Sequence, residues 1–259
     1  MYETNSQIAA SRPAANASGG IHCLTRRAQT VALLLCMSFA LSACVASGPK
    51  SYLRDDNVKL SGAGKRVLLM PTDVELSLLT AGGIEEPKAE WTAKAKGHIT
   101  PSLREILKTD NVSIVQYRGR DVAKSHVQLV KLHDAVGRTI LLSKYTRRLP
   151  LLTKKDANAF DWSLGRNVSL LRKKYRADYA LFVFVRDSYA SGGRKALVFM
   201  SSLVGGGARG GTQVGFASLV DLRTGKLVWF NVMGRESGDL RTADGAKETM
   251  GVLLAGLPK

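Results

Sequence analysis

Cys44 is the residue whose surroundings point most directly to chemistry, because its thiol lies at the end of a secretory signal pattern. Arg26 and Arg27 supply the positive start of that pattern, and residues 31–41 form an apolar run of eleven residues. A helix of that length measures about 16 Å, roughly half of the ~30 Å hydrocarbon core of a bilayer, so the run is too short to span a membrane. The small residues Ser42 and Ala43 follow, and we expect signal cleavage directly before the thiol.

The order Leu41-Ser42-Ala43-Cys44 resembles the bacterial lipobox. In that motif a diacylglyceryl group is attached to the cysteine thiol and the new N-terminus is then acylated, so the resemblance implies a membrane anchor of acyl chains, such as palmitate, on Cys44. Val45 rather than an aspartate follows the cysteine, which by the same resemblance favours the outer membrane, facing the periplasm. The alternative is an ordinary secretory signal with a cysteine nearby.

Three segments follow from this pattern. We predict that residues 1–43 are the signal peptide, that residues 44–65 are the lipidated cysteine and a flexible tether rich in Ser, Gly, Asp and Lys, and that residues 66–259 form a single α/β periplasmic domain. The first 23 residues are long and weakly charged for the start of a signal. Either that start is extended, or translation begins near Leu24.

Other side chains with metal-binding or redox chemistry are few. Signal cleavage would remove Cys23 and Cys36 and leave only Cys44, which excludes a disulfide, thiol catalysis and cysteine-ligated zinc or iron–sulfur clusters from the mature chain. His126 and His133 fall on the apolar stripe of one predicted helix, about 10.5 Å apart along its axis, which is too far for one metal to bind both directly. We predict that both histidines pack against the core.

The sequence contains no recognisable pairing of a nucleophile with a base, and its acidic residues are scattered. Residues 205–212 nearly match a P-loop, but Gly211 occupies the place of the lysine that reaches the phosphates, and a predicted strand follows where a helix is needed. We therefore predict a protein that is not an enzyme, with no catalytic residues, no metal and no cofactor.

The charge of the chain is strongly basic, with 38 Lys and Arg against 21 Asp and Glu. Residues 118–176 hold most of the excess, since they contain 15 basic and four acidic residues. Such asymmetry implies an anionic partner, which for an anchored protein means anionic lipid, lipopolysaccharide or a cell-wall polymer, whereas the export signal argues against nucleic acid. Arg172, Lys173 and Lys174, predicted at an exposed helix end, are the candidate residues for binding that surface, although a helix dipole also favours cations there.

Apolar periodicity predicts a mixed α/β domain with a sheet of about five strands and three to four helices, in two or three layers. The predicted order is β-α-β-α-α-β-β-β-α. The strands are residues 66–71, 112–115, 178–188, 213–222 and 226–231, and Gly225 can take the positive φ of a short loop between the last two. The helices begin near Pro87, with a break at Gly97 and a new start at Thr100, and then cover residues 121–148, 160–176 and 242–257.

Two groups of glycines bracket the apolar residues 194–204. The simplest interpretation is a flexible loop between strands. The length also fits a membrane-spanning strand, so a small pore-forming hairpin is an alternative, but residues 196–200 lack the alternation of apolar and polar residues that such a strand requires. We favour a packed or partner-binding flap.

Two stretches carry a likeness to known proteins: residues 177–182 (ADYALF) and 220–229 (VDLRTGKLVW). Together they resemble the periplasmic lipoproteins related to the curli secretion channel CsgG, to which the amino-terminal domain of TolB and the penicillin-binding-protein activator LpoB are similar in fold. By order of elements the likeness covers residues 65–257. It implies an envelope protein with a binding or assembly role. The CsgG channel has long, alternating pore hairpins, and the short glycine-rich segment 192–211 departs from that pattern.

The predicted function is therefore that of a lipid-anchored cell-envelope lipoprotein with a non-enzymatic binding or assembly role in envelope biogenesis or secretion. Its partner would be an anionic envelope surface, another envelope protein or a second copy of itself. Two alternatives stay open: a cell-wall-acting hydrolase, which cleavage of peptidoglycan would reveal, and a subunit of an oligomeric secretion pore, which conductance in planar bilayers would reveal.

Overall fold

The structure is a computed structural model, and it describes residues 50–53, 58–62, 64–118, 124–145, 160–205 and 207–259. The predicted signal peptide and lipidation motif, Leu41, Ser42, Ala43 and Cys44, lie outside the described residues. In chain order the elements are β1 (Lys50–Leu53), β2 (Arg66–Leu69), β3 (Asp73–Leu79), β4 (Glu85–Pro87), α1 (Ala89–Thr109), β5 (Ser113–Gln116), α2 (Lys124–Ile140), α3 (Ser169–Tyr175), β6 (Tyr179–Ala190), α4 (Gly192–Leu203), β7 (Gln213–Asp221), β8 (Leu227–Arg235) and α5 (Ala243–Leu253). A π-helical turn (Leu141–Tyr145) follows α2, and a 3₁₀ turn (Arg166–Val168) leads into α3.

A mixed sheet of eight strands forms the middle of the domain, in the order β1-β8-β7-β6-β2-β5, with β3 and β4 beside the second half of β6. The strands β1, β8, β7 and β6 pair in antiparallel fashion, whereas β2 and β3 run parallel to β6, and β5 runs parallel to β2. Strand β6 is long enough to pair with both β2 and β3 along one edge. Pro71, which has no N–H to donate, lies in the break between those two strands.

Side chains of the central strands alternate between two cores on opposite faces of the sheet. Along β6, Leu181 and Val183 join a core that includes residues of α1 and α5, whereas Phe182 and Phe184 join a core that includes residues of α2 and α3. The domain therefore has three layers, with helices on both faces. Gly137 lets α2 come close to the sheet, because a Cβ at that position would lie 2.1 Å from the ring of Phe216.

The structure confirms the predicted mixed α/β fold. All nine predicted elements occur in the predicted order, and β1, β3, β4 and α4 are added to them. The loop between β7 and β8 also behaves as predicted, since Gly225 has a φ of 79°. Strand β4 has only three residues, all exposed, so it leaves no apolar pattern in the sequence from which it could be predicted.

Residues 50–53, which we predicted to be part of a flexible tether, instead form β1 and pair with the edge strand β8. Backbone hydrogen bonds make this pairing, which is why a composition rich in Ser, Gly and Lys gave no sign of it. Val58 and Leu60 are also buried, in the core under α1 and α5. The part of the chain packed on the domain thus extends upstream of residue 66.

Helix α1 is continuous through Gly97 and Pro101, where we predicted a break. An apolar stripe of Ile99, Leu103 and Leu107 is fully buried on one face of the helix, and this packing outweighs the unfavourable propensity of the glycine and proline. Within the described residues, no helix has both the length and the apolar character needed to cross a bilayer.

The predicted helix over residues 160–176 is wrong in its first half. Ser163 forms an isolated bridge with Lys226, and the Leu164 amide donates to the Gly225 carbonyl at 2.8 Å, so this stretch is held by the β7–β8 turn. Gly165 has a φ of 74°, which is outside the helical region, and helical structure begins only after it.

Candidate functional site

The predicted anion-binding residues Arg172, Lys173 and Lys174 occupy the last turn of α3, and all three side chains are exposed. Leu171 and Tyr175, four positions apart, are buried on the opposite side of the helix. These two apolar side chains fix which face of α3 meets the core. The structure therefore brings the three cations together on the surface, as the sequence predicted.

This turn of α3 lies at the end of the sheet where β2 and β6 begin. Asp178, just before β6, accepts a hydrogen bond from the Arg66 amide at 3.0 Å. The β7–β8 turn reaches the same end, because Asp221 pairs with Tyr179 in the ladder. We call this region the basic end and define it by its exposed cations: Lys65, Arg66, Arg172, Lys173, Lys174, Arg176, Arg223 and Lys226.

Three carboxylates lie among these cations, and each has a local partner. Asp178 accepts from the Arg66 backbone, Asp221 accepts from the Arg223 amide at 2.7 Å, and Asp161 lies 3.8 Å from the Lys226 ammonium. Eight exposed cations against three engaged carboxylates leave the basic end with a net positive charge. Such a surface attracts anions at long range, and the attraction weakens with salt.

Both predicted core histidines are buried on the inner side of α2. His133 Nε2 shares a hydrogen bond of 2.7 Å with Ser218 Oγ, and its ring stacks on Phe182 with centroids 4.6 Å apart. Burial lowers the pKa of His133 to about 3, so the ring is neutral at physiological pH. His126 Nδ1 shares a 3.0 Å hydrogen bond with Tyr117. Among the described residues, no group of three or more His, Cys, Asp or Glu could hold a metal ion.

A buried polar network that we did not predict joins the other end of β6 to β7, β8 and α5. The Asp187 carboxylate accepts hydrogen bonds from the Tyr189 hydroxyl and, at 2.8 Å, from Gln213 Nε2. Gln213 Oε1 in turn accepts from Arg235 Nε at 2.8 Å, and Arg235 Nη2 donates to Thr249 Oγ1 at 2.6 Å. Burial raises the pKa of Asp187 above its ordinary value, although both side-chain hydrogen bonds oppose the shift.

A small cleft of about 180 Å³ opens beside this network. Its lining includes Asp187, Lys195, Thr212 and Ser237. Gln213 and Arg235 already form hydrogen bonds with neighbouring side chains of the protein. The network therefore holds the ends of β6, β7 and β8 together. One signal in the sequence could have indicated the network, since Asp187 occupies a position of β6 whose period-2 neighbours are apolar and inward-facing.

The glycine-bracketed segment is not a loop or a hairpin: residues 192–203 form helix α4. Ser191 caps it, since its side chain accepts a hydrogen bond from the Arg194 amide at 3.1 Å. No residue of α4 is fully buried, and the largest apolar side chains of the segment point to solvent, with Phe199 62% and Val204 83% exposed. The alternative of a membrane-spanning hairpin is therefore wrong for these residues, whereas the exposed apolar side chains are compatible with the partner-binding flap that we favoured.

Comparison with known proteins identifies similar folds. No protein-family model matches the chain, and no curated protein matches it. Among solved structures, a PelC L103M dodecamer from Paraburkholderia phytofirmans is 12% identical with a TM-score of 0.40, covering 81% of this chain and 96% of PelC. Lipoprotein GNA1162 from Neisseria meningitidis is 13% identical with a TM-score of 0.31, covering 72% of this chain and 92% of GNA1162. The LpoB C-terminal domain from Salmonella enterica is 15% identical with a TM-score of 0.27, covering 70% of this chain and 87% of that domain. LpoB, which the sequence-based resemblance named, is thus among the solved structures to which the chain is similar.

Proposed function

We propose that this protein is a lipid-anchored envelope protein whose domain binds an anionic envelope component through the basic end and catalyses no reaction. The observation that carries the proposal is the basic end itself, where eight exposed Lys and Arg side chains gather at one end of the sheet. The lipobox-like residues ending at Cys44 support the envelope location.

The side chains that could do catalytic chemistry support a binding role instead. His133 and Ser218 form the kind of pair that acyl transfer uses, but both are closed off from water in the core between α2 and the sheet. Asp187 is likewise buried and already bonded to Tyr189 and Gln213. A substrate could reach the His133–Ser218 pair only by opening the core, and the Asp187 carboxylate, although it lines the small cleft, is held by its hydrogen bonds to Tyr189 and Gln213.

The basic end suits a repeating anion better than a single small one. Its cations sit on flexible side chains from three separate parts of the chain, residues 65–66, 172–176 and 223–226. All eight are exposed to solvent, and such a surface binds mainly by summed charge. Anionic lipid, lipopolysaccharide and cell-wall polymers share this chemistry, because each presents phosphates or carboxylates in rows.

The test is co-sedimentation of the purified mature protein with isolated cell-wall sacculi and, separately, with vesicles that contain anionic lipid. We compare the wild type with the triple variant Arg172→Glu, Lys173→Glu and Lys174→Glu. The matched control reverses Lys94, Lys96 and Arg104, which are exposed on α1 in the opposite helical layer, so both variants change the net charge equally.

We expect the α3 reversal to lose most of the binding to at least one of the two surfaces and the α1 reversal to retain it. Equal loss in both variants would mean that only the total charge matters, and retention in both would contradict the proposal. Analysis of the soluble fraction for released peptidoglycan fragments tests the hydrolase alternative in the same experiment, and we expect none.

A further inference from the structure

An outward apolar face on α4 is the largest exposed apolar feature within the described residues. Of the nine large apolar side chains that are strongly exposed there, six lie together where β6 ends, five in or just after α4 and one in the β3–β4 turn. We call this set the α4 face: Ile84, Leu197, Phe199, Met200, Leu203 and Val204. Soluble proteins seldom expose such a cluster unless it contacts a partner or a membrane.

The orientation of α4 is the reverse of that of an ordinary surface helix. The residues that are partly buried against the domain are Arg194, Val198 and Ser201, at a spacing of three to four. The apolar residues Phe199 and Leu203 lie on the opposite side of the helix and face solvent. An amphipathic helix with its apolar side outward is the pattern of a helix that lies on a membrane surface.

The first turn of α4 is hydrogen-bonded to the rest of the domain. The Ser191 amide donates to the Leu79 carbonyl at 2.9 Å, and Arg194 Nε donates to the Arg209 carbonyl at 2.8 Å. These bonds fix the start of α4 beside the end of β3 and join its first turn to the loop that precedes β7. The α4 face therefore lies beyond the last residue of β6.

The start of the described chain lies level with the middle of β6, at a similar distance from its two ends. Strand β1 is antiparallel to β8, with Lys50 opposite Val232 and Leu53 opposite Trp229, so Lys50 is the residue of β1 nearest the end at which β8 and β6 finish. Val232 of β8 lies opposite Phe216 of β7, which lies opposite Phe184 of β6. Phe184 is six residues before the end of β6. Six residues of strand span about 20 Å.

Cys44 precedes Lys50 by six residues, and a chain of that length reaches at most about 20 Å. An acylated Cys44 can therefore reach the level of α4 but not pass far beyond it. The anchor therefore allows this end of the domain to meet the bilayer that holds the acyl chains, and the exposed apolar side chains of α4 favour this end over the basic end.

We propose that the α4 face docks on the lipid bilayer beside the acylated Cys44 and rests in the interfacial layer of the leaflet that holds the acyl chains. Lys195 and Arg209 are exposed beside the helix and can contact lipid phosphates. The carboxylates of Glu85, Glu86 and Glu236 at the same end of the sheet weaken the attraction of this surface to anionic lipid. Apolar contact therefore contributes most of the binding to the bilayer. This inference rests on the lipid anchor of the proposed function. Docking of the α4 face would also make the basic end face away from the membrane. The α4 face and the basic end lie at opposite ends of β6, whose twelve residues span about 40 Å.

The test uses the mature acylated protein reconstituted into vesicles of zwitterionic phosphatidylcholine, which leave out the anionic lipid that the basic end is proposed to bind. Acylated Cys44 has no free thiol and the mature chain has no other cysteine, so one introduced cysteine is a unique labelling site for an environment-sensitive fluorophore. Phe199→Cys reports on the α4 face, and Lys173→Cys, at the basic end, is the control. Intact mass confirms the acyl groups before labelling.

We expect the probe at residue 199 to shift to shorter wavelength on reconstitution, to be quenched by lipid-borne quenchers and to be protected from iodide, and we expect none of these changes at residue 173. An acylated protein whose probe at 199 stays open to iodide would overturn the docking proposal and leave the anchor intact. A protein of unacylated mass would instead defeat the anchor of the proposed function. Protection at 199 that rises with protein concentration in detergent, without lipid quenching, would show that a second copy covers the face and would also overturn the proposal.

Discussion

His133 Nε2 lies 2.7 Å from Ser218 Oγ in a core where both side chains are closed off from water. The imidazole also stacks on Phe182 and lies near the ring of Phe216. Burial lowers its pKa to about 3, so the folded protein keeps this ring neutral over the whole physiological range. The pair thus stabilises the packing of α2 on the sheet, and it gives the protein a specific sensitivity to acid.

Because the unfolded chain protonates His133 near its ordinary pKa of 6.5, the unfolded state binds more protons than the folded state between about pH 3 and pH 6.5. The stability from this residue is therefore complete above pH 6.5 and is lost as the pH falls below it. We expect the free energy of unfolding to fall by about 2 kcal/mol from pH 7 to pH 5 through His133 alone. Urea unfolding at both pH values, for the wild type and His133→Gln, measures this as the difference between their pH dependences. An identical pH dependence in the two proteins would contradict the assignment.

Gly137 should be intolerant of a side chain even though it lies within a helix. An alanine Cβ there would lie 2.1 Å from the ring of Phe216, which is fully buried and stacked on Phe184 at 4.5 Å and so cannot move aside. We expect Gly137→Ala to lower the free energy of unfolding by about 1–3 kcal/mol. Gly97→Ala in α1, where a Cβ meets nothing within 4 Å, is the control and should raise it by up to about 1 kcal/mol. Changes of the same sign in the two variants would show that the close approach of α2 is not as described.

Cys44→Ser should leave the protein unacylated and largely released from membranes. Each buried methylene of an acyl chain contributes about 0.8 kcal/mol to membrane affinity, so several chains anchor the protein far more strongly than surface contacts do. Fractionation of cells and labelling with palmitate measure the two effects. Incorporation of palmitate that survives the substitution would place the lipid on another residue and would disprove the lipobox assignment.

Replacement of residues 194–210 by a short Gly-Ser linker should leave the melting temperature nearly unchanged, because no residue of α4 is fully buried. A short linker can close the gap, since the Ser188 amide and the Thr212 carbonyl are already hydrogen-bonded at 2.9 Å. We expect the same variant to fail to complement a strain that lacks the protein. Thermal unfolding followed by circular dichroism is the measurement, and a collapse of the folded state would show that the segment belongs to the core.

The sequence predicted correctly those elements whose buried face is marked by regularly spaced apolar residues within the element itself. The apolar pair Leu171 and Tyr175 fixes one face of α3, and the exposure of Arg172, Lys173 and Lys174 follows from it. Strands β6 to β8 are apolar enough to be recognised from composition alone. The same argument failed for α1, where burial of Ile99 and Leu103 outweighs the helix-breaking effect of Gly97 and Pro101.

Features that depend on distant partners could not be predicted in this way. Strand β1 exists because its backbone pairs with β8, and Asp187 is satisfied by Gln213, 26 residues away along the chain. Helix α4 was missed because its glycines suggested flexibility, although Ser191 at the cap position is a signal for the start of a helix.

The most direct test of the central claim is the salt dependence with which the mature protein binds sacculi. Exposed cations lose their attraction as ionic strength rises, since the screening length falls from about 30 Å at 0.01 M salt to about 8 Å at 0.15 M. We expect the bound fraction to fall steeply over that range in the wild type, and to be low throughout when Arg172, Lys173 and Lys174 are reversed to Glu. Binding that is independent of salt, and equal in the two proteins, would contradict the account.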